Sequence, residues 1–180
     1  MKVQILACLL AMTPLAHGDS ASQPASSYVG QETRDIKSLS PEEVDAYLSG
    51  QGFGLAKAAE LNGFAGPRHV LELSSELDLT AEQHVRTDAL FIAMQSKASE
   101  LGRALVEKER QLDHLFASRT ITPVLLESTL NEIGSLQVRV RGAHLEAHLA
   151  QVDILTPEQN VRYAQLRGYD NPGTYTGHGH

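Results

Sequence analysis

The chain has 180 residues, a formal net charge of −7, 5% aromatic residues, no Trp and a single Cys. That length suits one domain with a modest core, and the plentiful Ala, Leu, Glu, Gln and Arg favour helices over sheets. One cysteine excludes an internal disulfide and a thiolate metal site, and an acidic chain without clustered Lys and Arg is a poor match for nucleic acid.

The opening "MKVQILACLLAMTPLAHG" sets Lys2 before an apolar run from Val3 to Leu15, with Ala16 and Gly18 at the minus-three and minus-one positions of a cleavage site. This pattern predicts a secretory signal over residues 1–18 and an exported mature chain. A bilayer span needs about 20 apolar residues. The run is shorter, and no later segment of the mature chain is apolar enough to cross. "ILAC", ending at Cys8, resembles a lipoprotein box, but the apolar stretch before it is too brief for lipidation. Losing Lys2 moves the formal charge from −7 to −8.

Residues 19–38 are polar and Ser-rich without apolar periodicity, and read as a flexible leader. Residues 39–66 read as short N-terminal helices. In the first, Ser40 is an N-cap, Pro41 takes the first position and Glu43 closes a capping box. The glycines from Gly50 to Gly54 end it; "GQGFG" lacks the preceding strand that a phosphate-cradling loop requires. A second short helix from Leu55 to Leu61 stops at "NGFAGP".

Residues 67–168 read as a helical-hairpin domain, entered through another short helix, "RHVLELSSEL". Thr80 then caps a long helix, with Gln83 reaching back and Leu79 as the staple residue. No proline interrupts between Ala81 and Pro123. Phe91, Met94, Ala98, Leu101, Leu105, Leu112 and Leu115 step by three and four, with Lys108 the polar intruder. This is a heptad seam on a helix of roughly 37 residues, or about 55 Å. Thr122 and Pro123 start a second long helix that runs to about Val152 and places Leu126, Leu130, Ile133 and Val140 on one face. Thr156, Pro157 and Gln159 begin a terminal helix that fades at Gly168, and residues 169–180 read as a disordered tail. The fold expected is all-α: a long antiparallel hairpin whose exposed seam is covered by the short N-terminal helices, a second subunit, or both.

Leu79 to Leu90 and Leu155 to Leu166 share seven of twelve positions, so the first long helix and the terminal helix open on one phrase, "LTAEQ" and "LTPEQ". The Thr and Gln of each copy, Thr80, Gln83, Thr156 and Gln159, read as structural helix caps.

Chemistry concentrates in "HLEAH". His144 and His148 are one helical turn apart, close enough to share a metal ion, or alternatively to stand as solvated or packing residues. Glu146 lies about 200° around the helix from His144, which argues against the metalloprotease arrangement of HExxH. In a hairpin turning near Thr120, facing residues have numbers adding to about 240. His144 and His148 are then expected opposite Phe91 to Gln95, with Asp88 a turn away and His69 placed to fold back as a third nitrogen. His84 and His114 read as solvated, His178 and His180 belong to the tail, and Met94 reads as a core filler. With no GxSxG and no nucleophile beside a fixed base, no enzymatic activity is expected.

The paired "LTAEQ" and "LTPEQ", separated by a long hairpin and preceded by an export signal, resemble the LTxxQ signature of the Spy/CpxP family, over Pro67 to Tyr169. That family includes periplasmic refolding chaperones, zinc-resistance-associated proteins and heavy-metal sensors. The resemblance implies a hooked, all-helical hairpin that dimerises in the periplasm, works without ATP and responds to envelope or metal stress. Metal-sensing members take ligands from a His before the first LTxxQ, an acidic residue on the first long helix and an i, i+4 pair before the second. His69, Asp88, His144 and His148 occupy comparable places, although a sensor's His-rich first helix is reduced here to one His. The implied function is a metal-binding stress protein of sensor or resistance type for Zn, Ni, Co or Cu, with unfolded envelope proteins or a membrane signalling partner as further contacts. The alternative is an ATP-independent chaperone without a specific metal site; Spy-like chaperones present a strongly basic concave face, whereas this chain is acidic.

Overall fold

The computed structural model describes residues 26–169. The expected signal segment, Cys8 and the tail histidines His178 and His180 lie outside them. Among the described residues there are six α-helices and no strand: α1 (Pro41–Ser49), α2 (Lys57–Glu60), α3 (Pro67–Glu72), α4 (Ala81–Ala117), α5 (Pro123–Val152) and α6 (Pro157–Leu166). None is long and apolar enough to cross a membrane.

Helix starts follow local chemistry. Ser40, Thr80 and Thr156 each accept a hydrogen bond from the third helical N–H, while Glu43, Gln83 and Gln159 reach back to the cap N–H, closing three capping boxes. Prolines open α1, α3, α5 and α6, where the missing N–H costs nothing. Gly50, at φ 70°, ends α1 in the left-handed region. The short helices are briefer than expected: α2 covers four residues, and "LSSEL" after Glu72 is a series of turns.

α4 and α5 pack antiparallel along their length in the expected register. Lys97 Nζ meets Glu146 Oε2 at 2.8 Å, and Lys108 Nζ meets Glu132 Oε2 at 2.6 Å. The polar intruder in the α4 seam is therefore an ion-pair partner of α5. Leu101, Leu105, Ile133 and Val140 form one apolar core, joined by Tyr47 and Leu55 from the N-terminal segment. Leu105 is 1% exposed, so Leu105→Ala costs about 2–5 kcal/mol. α1 lies so close to α4 that a Cβ on Gly102 would collide with the Tyr47 carbonyl. Further along, Leu130, expected on the apolar face, is 48% exposed.

The leader also departs from expectation. Its last residues lie against α4: Asp35 pairs with Arg110 at 3.2 Å, Ile36 is buried, Lys37 pairs with Asp113 at 3.0 Å, and the Ser38 hydroxyl donates to Glu109 at 2.9 Å. One apolar anchor with polar partners on both sides suffices to dock a segment that has no periodicity.

At the other end, Ala65, Val70, Leu77, Leu155 and Tyr163 form a second core. The two repeat copies meet there. Gln83 Nε2 donates to the Ile154 carbonyl at 2.9 Å and to Gln159 Oε1 at 2.7 Å. Gln159 Nε2 donates to the Leu77 carbonyl and to Gln83 Oε1, both at 3.1 Å. Each Gln thus caps its own helix, bonds the backbone that leads into the other copy, and pairs with its counterpart.

Candidate metal centre

Between this double clasp and the α1–α4 contact lies a cavity of about 410 Å³. α5 contributes His144 and His148 to its wall, and Phe91, Met94 and Gln95 face them from α4, as the register requires. Glu60 of α2, Gly66 and His69 at the start of α3, and the Gly50–Gly54 loop complete it on the N-terminal side.

His144 is 3% exposed and its Nε2 has no hydrogen-bond partner. Gly52 lies against its ring; a Cβ there would sit 3.5 Å from Nδ1, so the glycine loop roofs the imidazole. Burial, then the charge of His148, pushes the His144 pKa below the ordinary histidine value, which favours the neutral ring that a metal requires.

His148 is 8% exposed, with Nδ1 2.8 Å from the Phe64 carbonyl. A carbonyl only accepts, so Nδ1 carries a proton, and in the neutral ring the lone pair falls on Nε2. This is the backbone anchoring that fixes the tautomer of a ligating histidine. A Cβ on Gly66 would sit 3.0 Å from His148 Nε2 and 3.5 Å from Glu60 Oε2, so the absent side chain leaves both groups facing one gap.

Glu60 is the acidic residue beside this pair. Its Oε1 accepts from the Tyr163 hydroxyl at 2.7 Å, the Tyr169 hydroxyl at 2.9 Å and Arg167 Nε at 3.2 Å. Its Oε2 is buried without a hydrogen-bond partner, 3.8 Å from His148 Nδ1. Leaving a buried acceptor unmade costs about 1–3 kcal/mol, more when it is charged.

The expected acid, Asp88, is elsewhere. It is exposed and does not line the cavity. Its neighbour Thr87 is the residue turned to α5, fully buried and bonded by Gln151 Nε2 at 3.2 Å, and one residue further is 100° around the helix. His69 does reach the cavity wall, but its Nδ1 is held by Glu72 Oε2 at 2.7 Å. Glu146 points outward to Lys97, and His84 and His114 are exposed. Thr80 and Thr156 are committed to capping their own helices, and Gln83 and Gln159 to the clasp described above.

The donor set fits a borderline divalent cation: two imidazoles a turn apart, one with an unpartnered nitrogen, beside an unpartnered carboxylate oxygen. As they lie, no group of three or more His, Cys, Asp or Glu among the described residues is gathered closely enough to hold an ion. Closing a site therefore requires Glu60 or His69 to turn.

Sequence reasoning missed Glu60, Phe64 and Gly66. Glu60 meets partners about 100 residues away, and the Phe64 contribution is a backbone carbonyl, so neither leaves a local signal. A family model described as heavy-metal resistance matches residues 52–162, more than half of the chain. No curated protein and no solved structure matches it.

Proposed function

The chain belongs to the heavy-metal resistance family, and from that premise we propose that it is a periplasmic metal-binding stress protein of sensor or resistance type, acting as a homodimer. It binds a divalent transition ion (Zn, Ni, Co or Cu) at His144 and His148, and it is not an enzyme. The observation that carries this reading is the pairing of a buried His144 Nε2 without a partner and a His148 whose tautomer is fixed by Phe64. A folded protein bears the cost of such an orphan where a ligand relieves it.

Titration calorimetry with zinc and with nickel tests it. About one ion per chain binds near neutral pH, and binding weakens below about pH 6 as the imidazoles protonate. Unchanged stoichiometry and affinity in His144→Ala/His148→Ala would sink the proposal. The second reading, an ATP-independent holdase for unfolded envelope proteins, draws support from Val124, Leu130 and Val138, which stand 76%, 48% and 72% exposed on α5. It expects the metal-free protein to suppress client aggregation equally well with both histidines replaced.

A further inference from the structure

Glu60 faces two ways, and the groups on its two sides belong to different parts of the molecule. On Oε1 converge Tyr163 from α6 and Arg167 and Tyr169 just beyond it, three donors on one oxygen. Arg167 Nη2 also donates to the Tyr169 hydroxyl at 3.1 Å, and the guanidinium stacks 5.6 Å from that ring. Tyr163 is 1% exposed and sits in the second apolar core. The carboxylate therefore anchors the C-terminal helix to α2. On the other side Oε2 has no partner, and what it faces is the His148 edge across the space left open by Gly66.

We propose that Glu60 is the carboxylate of the metal centre and its output: Oε2 joins the ion held by His144 and His148 while Oε1 keeps the C-terminal donors, so that occupancy tightens the docking of α6. This rests on the metal-centre reading above. Two neutral imidazoles leave a divalent cation's charge unbalanced, and among the described residues the only carboxylate that lines the cavity beside them is Glu60. A cation also satisfies the acceptor that the fold leaves unmade. Once Oε2 is fixed, the Glu60 side chain loses its freedom to swing, and the three donors on Oε1 gain a rigid acceptor. α6 begins with the second repeat copy, whose Gln159 bonds the first. Metal beside α5 is thereby felt in α6, through Glu60 and the donors it holds.

Amide hydrogen exchange over Pro157–Leu166, with zinc binding followed in parallel by calorimetry, tests this on the full chain. In the wild type, zinc slows α6 exchange by about tenfold. In Glu60→Gln, which keeps an acceptor for the tyrosines, zinc binds about ten- to a hundredfold more weakly and leaves α6 exchange unchanged when bound. Because linkage is reciprocal, Tyr169→Phe, a change at the half-buried end of the cluster, lowers zinc affinity several-fold. Zinc that binds the wild type without slowing α6 overturns the proposal while leaving the metal centre intact, as does a Glu60→Gln or Tyr169→Phe protein indistinguishable from wild type. Absence of zinc binding to the wild type overturns both.

Discussion

The clasp of Gln83 with Gln159 and the cluster of His144, His148 and Glu60 are built from the same materials: half-buried or buried polar side chains that link one helix to another. They differ in what is left over. In the clasp, each amide uses both of its N–H groups and accepts two hydrogen bonds on its oxygen. In the cluster, His144 Nε2 and Glu60 Oε2 are buried with nothing to bond. A saturated network is a fastener, and an unsaturated one inside a cavity is a place for a ligand. Gln151 Oε1 and Asn160 Oδ1 are also unpartnered, but neither residue lines the cavity.

If the clasp is structural, Gln159→Ala removes a cap and strands the Leu77 carbonyl and half of Gln83. Urea denaturation should show a loss of about 3 kcal/mol, with zinc affinity within about twofold of wild type. A large loss of affinity without a loss of stability would reverse the roles assigned to the two regions. Gly66→Ala acts on the other side. Its Cβ would come within 2.8 Å of His148 Cε1, so the ring must shift, and zinc affinity should fall about tenfold in calorimetry while the clasp stays intact.

His144→Leu sharpens the contrast, since it deletes an orphaned nitrogen and keeps the volume. The metal-free protein should be as stable as wild type or up to about 1 kcal/mol more so, with zinc binding abolished. A destabilisation like that of Gln159→Ala would mean that His144 is a fastener too.

The Glu60 hub adds a pH dependence. Burial, followed by the hydrogen bond to Glu60, raises the Tyr163 pKa far above the ordinary tyrosine value. A group whose pKa is raised in the folded state stabilises the fold fully below its unfolded pKa. That contribution declines as pH climbs above about 10, where the unfolded chain ionises first. Alkaline denaturation of wild type should therefore be steeper than that of Tyr163→Phe. Smallest of all, Asp88→Asn should leave zinc affinity within about twofold, because the residue stands outside the cavity.

These contrasts also explain what could be read from the chain alone. The bounds Ala81–Ala117 and Pro123–Val152 were legible because caps and prolines act on their immediate neighbours. Register followed from the turn, which is why the histidines and Phe91 to Gln95 meet as expected. Asp88 stands outside the cavity because a one-residue offset on a helix is a 100° rotation, finer than a register argument resolves. Glu60 was invisible because its role depends on Tyr163, Arg167 and Tyr169, brought to it only by the packing of α6. The docked leader escaped notice because its hold on α4 is one isoleucine and a few paired side chains.

The central claim is that the unsaturated cluster is the metal centre. X-ray absorption at the zinc edge, on protein loaded with one equivalent, tests it at the ligands themselves. Two imidazoles completed by oxygen donors are expected in the wild type, and both imidazole signals should vanish in His144→Ala/His148→Ala. A wild-type spectrum without imidazole scattering, or one that survives the double substitution unchanged, would contradict it.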